Sequence, residues 1–122
     1  MIDLKRQHCS IMTFGKNNFD EFQSQVKNQI LVSENDKYLT DWRGVFKGRT
    51  NFVIFPESTK EVSRVVKLAS KYEIPIVPQG GNTGLCGGAT PDKSGNSILM
   101  NLTKLNKIRS IDLTGNTITV KQ

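Results

Sequence analysis

Between Pro78 and Thr90 the chain reads PQGGNTGLCGGAT, and five of these thirteen residues are glycine. A loop so poor in side chains can turn its backbone N–H groups toward a guest, and successive N–H groups form a concavity suited to an anion. Phosphate or pyrophosphate is the matching chemistry. Thr83 adds a hydroxyl donor and Asn82 an amide. A plain connecting loop is the alternative, but connection alone seldom calls for five glycines. Two common phosphate loops fail on spacing. A Walker loop closes on Gly-Lys-Ser/Thr, whereas Gly87-Gly88 is followed by Ala89-Thr90. A dinucleotide fingerprint places glycines at i, i+2 and i+5 ahead of a helix. Gly80, Gly81, Gly84, Gly87 and Gly88 contain no such triplet, and Pro91 with Gly95 argues against a long helix directly after them.

Elsewhere reactive side chains are sparse. Cys9, Cys86 and His8 form neither a C-x-x-C pair nor a four-ligand set, so no metal site is expected. Cys86 reads as a small residue that fits the loop. Asp41-Trp42-Arg43 reads as a packed tryptophan flanked by a surface ion pair. The net charge is +6, from 17 basic and 11 acidic residues. The basic residues are scattered singly, which favours a solvated surface with some pull on an anionic cofactor over a nucleic-acid face. The start lacks a signal-peptide core, and no apolar run reaches membrane-spanning length. The expectation is a cytoplasmic chain without a transmembrane segment, peripheral membrane contact being left open.

The elements that must hold the loop follow from apolar patterning. At 122 residues the chain has the length of one domain. Residues 1–17 carry no period and read as an arm. Asn18 and Glu21 have capping-box spacing ahead of Phe19, Phe22, Val26 and Ile30, which predicts a helix. Residues 32–50 read as a polar connection. Phe52–Phe55 is a short apolar strand ending at Pro56. Ser58 and Glu61 then cap a helix from about Thr59 to Lys71, with Val62, Val65, Val66, Ala69 and Tyr72 as its buried stripe. Ile74–Val77 is a second strand. Residues 52–77 therefore read as a βαβ unit with those two strands as a parallel pair. The glycine loop leaves the carboxyl end of the second strand, where open α/β sheets bind ligands. Beyond it, Ser97–Leu102 is a strand, Thr103–Lys107 a helical turn, and Arg109–Asp112 with Thr117–Lys121 a hairpin turning at Gly115.

The Pro78–Gly88 motif, placed after a βαβ unit and before SILMNLTKLNKI, resembles the flavin-binding domain of the vanillyl-alcohol oxidase / p-cresol methylhydroxylase family. Within it the chain is most similar to the D-2-hydroxyglutarate, glycolate and D-lactate dehydrogenase branch. The likeness runs from about Tyr38 to Gln122 and takes in Asp41-Trp42-Arg43, PESTKEV, IPIVPQGGNTG and the final ITV. It implies an α/β (α+β) fold: residues 1–37 as arm and helix, and residues 38–122 as an incomplete, N-terminal part of a p-cresol methylhydroxylase-type FAD-binding domain.

That resemblance implies FAD. Pro78 leads into the site, and Gln79–Gly84 would wrap the pyrophosphate. Gly80, Gly81 and Gly84 would give close approach; Asn82 and Thr83 would donate to phosphate oxygens. Leu85, Gly87 and Gly88 would continue toward the ribityl and ring side. Some relatives attach flavin covalently through a histidine directly after the Gly-Gly pair; Asn82 holds that position here, which implies non-covalent FAD. In the family, substrate groups come from a later domain, so no catalytic residue is assigned. The chain is expected to be a fragment, a split-gene product or a decayed frame, inactive alone and reliant on a complementary chain. Its unpaired edge is expected to show apolar strand surface such as Ile98–Leu102. A stand-alone dinucleotide-binding module and a basic nucleic-acid-binding protein are the alternatives.

Overall fold

The computed structural model describes residues 18–31 and 37–120. The expected arm over residues 1–17, with His8 and Cys9, lies outside the described residues.

A strand with water on one face alternates apolar and polar residues; a strand buried on both faces need not. FVI and ILMN do not alternate, and every residue of β2 (Phe52–Ile54) and β4 (Ile98–Asn101) is buried. These two strands are the centre of a four-stranded sheet. Its order is β1-β2-β4-β3, with β1 at Gln29–Leu31 and β3 at Ile76–Gln79. β4 runs parallel to both β2 and β3, and β1 runs antiparallel to β2. The expected direct pairing of the Phe52 and Ile74–Val77 strands is therefore corrected: they are parallel members of one sheet, with β4 seated between them. Apolar patterning reveals how many faces a strand buries, not which strand is its neighbour. Pro78 is accommodated because β3 is an edge strand.

Helix α2 spans Thr59–Lys71. The Ser58 hydroxyl accepts from the Glu61 N–H at 3.2 Å. The Glu61 carboxylate returns to the N–H of Glu57 at 2.8 Å, one residue ahead of the expected box partner. The helix stops where Glu73 turns left-handed, at φ 55°, and the Ile74 N–H donates to Ala69 O. Val65, Ala69 and Tyr72 are buried, with Val62 and Leu68 packed beside them. Val66 is not on the stripe: it lies one step past it and is exposed.

Helix α1 covers residues 18–25. It sits on the same face as α2, where Phe22 stacks on Phe52 at 6.0 Å. The Asn18 amide donates to Tyr72 O, an inter-helix tie in place of the expected cap. The helix ends before Ile30. Asn28 turns left-handed at φ 57°, and residues 29–31 join the sheet as β1. On the opposite face a smaller cluster of Val53, Phe55 and Leu99 is covered by Tyr38 and Val77.

The expected polar connection before β2 is described from residue 37 on, and that part is tied down by hydrogen bonds. A 3-10 turn at Lys37–Leu39 leads into a tight reversal in which Thr40 pairs with Lys47, the Asp41 N–H donates to Phe46 O, and the Asp41 carboxylate accepts from the Phe46 N–H. Arg49 N donates to Asp92 O, and the Thr50 hydroxyl to Ser97 O, fastening this segment beside β4. After β4 a single turn at residues 103–104 leads to a separate hairpin, β5 (Ile108–Asp112) and β6 (Thr117–Val120). The Asp112 carboxylate accepts from the N–H groups of Thr114 and Gly115, and Asn116 takes the left-handed position. Every residue of both strands is exposed.

Candidate functional site

Because β2, β3 and β4 are parallel, their carboxyl ends share one edge of the sheet. The glycine loop leaves that edge at Gln79, beside its register partner Asn101.

The five glycines do different work. Gly87 has φ +78°, and a Cβ there would stand 3.0 Å from the Phe46 ring, so the fold itself selects glycine. Gly80, Gly84 and Gly88 would place a Cβ in open space, and Gly81 would meet only the Thr83 methyl at 4.0 Å. None of these four has φ in the left-handed region. The protein needs glycine at none of them for shape or packing. The left-handed position of the front half falls on Asn82, φ 57°. The consequence is a strip of bare backbone on the solvent side of the loop, open to close approach by something other than protein.

The loop's two amide side chains point the other way. Gln79 is 1% exposed; its Nε2 donates to Tyr38 O and Ala89 O, both at 3.0 Å, and its Oε1 accepts from Asn101 at 3.1 Å. Asn82 donates to Thr40 O at 2.7 Å, with Lys37 O at 3.5 Å. The Arg43 guanidinium reaches back to Leu85 O at 2.8 Å. Thr83 is exposed and makes no side-chain hydrogen bond among the described residues. Pro78, Leu85 and Cys86 are exposed, and Gly87 is half-buried.

The packed-tryptophan reading of Asp41-Trp42-Arg43 is overturned. Trp42 is 72% exposed, Asp41 is buried and accepts from the Phe46 N–H, and Arg43 serves the loop. Sequence reasoning missed this segment's part in the site, as it missed Asn101. For Asn101 a signal existed: a polar residue ending an apolar strand must find a partner. The described residues hold no cluster of His, Cys, Asp and Glu fit for a metal. A cleft of about 170 Å³ between α1 and α2, lined in part by Lys27, Glu61 and Arg64, shares no residue with the loop.

A family model described as an FAD binding domain matches residues 50–122. The chain belongs to this FAD-binding family. Membership brings FAD as cofactor, and the curated relatives include enzymes named as D-2-hydroxyglutarate and D-lactate dehydrogenases. D-2-hydroxyglutarate dehydrogenase, mitochondrial, of Arabidopsis thaliana is 38% identical over 60% of this chain and 13% of its own length. D-2-hydroxyglutarate–pyruvate transhydrogenase of Saccharomyces cerevisiae is 32% identical over 72% of this chain and 17% of its own. Glycolate oxidase subunit GlcD of Bacillus subtilis is 34% identical over 98% of this chain and 23% of its own. The chain thus spans less than a quarter of each of these relatives.

Among solved structures, alkyldihydroxyacetonephosphate synthase matches with a TM-score of 0.64 at 21% identity, covering 86% of this chain and 22% of that one. A variant of berberine bridge enzyme matches with a TM-score of 0.61 at 21% identity, covering 87% and 23%. These likenesses show the fold, the p-cresol methylhydroxylase type expected from the sequence. Among the described residues no helix is long and apolar enough to cross a membrane.

The glycine loop has room for a diphosphate. An anion approaching Gly80, Gly81 and Gly84 would meet main chain with no side chain in its path, and the exposed Thr83 hydroxyl stands among them.

Proposed function

We propose that this chain forms the pyrophosphate-holding part of the FAD site of an oxidoreductase acting on D-2-hydroxy acids. The observation that carries the reading is the set of four glycines, Gly80, Gly81, Gly84 and Gly88, that the protein's own packing and backbone do not require. Backbone N–H groups of Gly80–Gly84 donate to the phosphate oxygens, and the Thr83 hydroxyl adds a donor. Asn82 contributes its N–H rather than its amide, which is committed to Thr40 O. Pro78 and Gln79 lead the chain into the site, and Leu85, Gly87 and Gly88 continue along the cofactor. FAD is held without a covalent bond, since the amide at Asn82 offers no nucleophilic ring nitrogen. Bound flavin supplies hydride acceptance from the substrate carbon. The substrate class is supported by the relatives, two of which are named for D-2-hydroxyglutarate.

The chain needs a complementary portion to work, on this reading. The expectation that Ile98–Leu102 would be the exposed apolar strand is overturned, because β4 is central and buried. The exposed apolar surface lies on the hairpin instead. Ile108, Ile111, Ile118 and Val120 are each more than half exposed, and pairing Ile108 with Val120 and Ile111 with Ile118 puts them on one face. A patch of this kind marks an interaction surface.

The test exchanges this chain for the 119 aligned residues of the Bacillus glycolate oxidase subunit. The chimera is expected to purify yellow and to oxidise a D-2-hydroxy acid with a dye acceptor. The 122-residue chain alone is expected to be colourless and inactive, because hydride transfer requires the substrate carbon held against the flavin ring. A folded chimera without flavin, or turnover by the chain alone above that of free FAD, would overturn the proposal.

A further inference from the structure

Gln79 lies at the mouth of the loop yet shows it almost no surface, being 1% exposed. Its side-chain amide has two N–H donors and one oxygen. Both kinds of atom are used. One donor goes forward ten residues to Ala89 O, at the far end of the loop, and one goes back to Tyr38 O. The oxygen accepts from Asn101, which is 2% exposed and sits opposite on β4. Asn101 is itself oriented by Thr103, whose N–H and hydroxyl both donate to its oxygen. The Gln79 backbone carbonyl accepts from the Leu102 N–H at 2.8 Å. Rotating the Gln79 amide by half a turn would set its oxygen against two carbonyl oxygens, so its orientation is unique.

We infer that Gln79 is a positioning residue: its amide closes Gly80–Ala89 into a ring, and Asn101 with Thr103 locks that amide in place. It follows that the Gln79 side chain does not donate to phosphate, having no donor left. The loop has four glycines with no side chain to pack, and each glycine ordered on binding carries a high entropic cost. Joining the two ends of the ring before the ligand arrives removes part of that cost, which is how pre-organisation raises affinity. Two further ties, from the Asn82 amide to Thr40 O and from the Arg43 guanidinium to Leu85 O, fix the ring against the segment behind it. The inference rests on the loop being the diphosphate site.

The test uses the full 122-residue chain, ADP as the diphosphate probe, and nitrogen-15 relaxation with amide shift titration. Two variants are compared. Gln79→Met keeps the length and removes every polar side-chain atom; Thr103→Val removes one part-buried hydroxyl bond to Asn101. In the native chain, ADP is expected to shift the amides of Gly80–Gly84. In Gln79→Met, order parameters over Gly80–Gly88 should fall from near 0.85 to below about 0.6 while Leu99 and Met100 stay rigid. ADP affinity should fall about tenfold, and in Thr103→Val about two- to threefold. A purely structural role would lower the melting temperature without loosening the loop selectively. No shift in the native chain would overturn the diphosphate reading itself. A native shift with native loop order and affinity in both variants would overturn the positioning role alone. If Gln79→Met does not fold, Thr103→Val decides on the same two measurements.

Discussion

Placing a valine at Gly81 should separate the two reasons a loop can need glycine. The built Cβ meets nothing nearer than the Thr83 methyl at 4.0 Å, and φ at Gly81 is outside the left-handed region. Positive φ in this half of the loop belongs to Asn82, so valine at position 81 meets no left-handed backbone. The fold should therefore tolerate Gly81→Val to within about 0.5 kcal/mol, as for a surface position. The ligand should not tolerate it. A branched side chain on the bare strip obstructs the N–H groups beside it. Each charge-assisted hydrogen bond lost costs about 1.5–3 kcal/mol, or roughly 10- to 100-fold in affinity.

Gly87→Ala is the internal control from the same loop. There φ is +78° and the new Cβ stands 3.0 Å from the Phe46 ring. Phe46 is partly exposed and can shift, so backbone strain of about 1–2 kcal/mol is the firm cost. That lowers the melting temperature by roughly 3–10 °C for a domain of this size. Thermal melting and ADP titration on the two variants form a two-by-two comparison. Gly81→Val should lose the ligand and keep the fold; Gly87→Ala should lose stability first. Native ADP affinity in Gly81→Val, or a melt depressed as far as that of Gly87→Ala, refutes the reasoning.

Gly48→Ala should be far worse than either, because its Cβ would fall 1.7 Å from Pro91 O, a backbone atom; a loss of about 3 kcal/mol or more is expected in a denaturant melt. Ile111→Thr with Ile118→Thr should leave stability nearly unchanged, since both side chains are already exposed. The same pair should raise solubility and abolish assembly with a complementary flavoprotein portion, measured by co-purification. Binding to DNA or RNA should be feeble and vanish at physiological salt, checked by anisotropy across a salt series; a tight, sequence-dependent complex there would point to the basic surface as functional.

What was legible in the sequence was local. The Ser58 cap, the stripe Val62-Val65-Ala69-Tyr72 and the runs FVIF and SILMNL carry their structure in their own spacing, and each became the expected element. The glycine loop was legible as a stretch of bare backbone at the carboxyl end of a strand for the same reason. The segment behind it was not. Residues 37–43 hold the loop through the carbonyls of Tyr38 and Thr40, which accept from side chains 41 and 42 positions away. A main-chain oxygen has no residue type, so composition and period cannot reveal it. Strand order escaped for a related reason, as neighbours are chosen in space among strands that look alike. Helix α1 was overextended because Ile30 happens to fall on the helical period, whereas ladder bonds to β2 draw its backbone into β1.

The hairpin shows how one residue can direct a surface. Between Ile108 and Ser110 the register slips, and Arg109 has no partner on β6. In an unbroken ladder side chains alternate, so Ile108 would lie on the face opposite Ile111, among Ser110, Asp112, Thr117 and Thr119. The bulge adds one residue and returns Ile108 to the side of Val120. The result gathers Ile108, Ile111, Ile118 and Val120 on one face and Ser110, Asp112, Thr117 and Thr119 on the other, on a ribbon whose strand residues are all exposed. A two-stranded ribbon is at best marginal in water, so sorting its faces this way stabilises little until something covers the apolar side. The sorting is thus an argument about assembly: an apolar face kept apart from the polar one is suited to a partner surface that buries Ile108, Ile111, Ile118 and Val120 together.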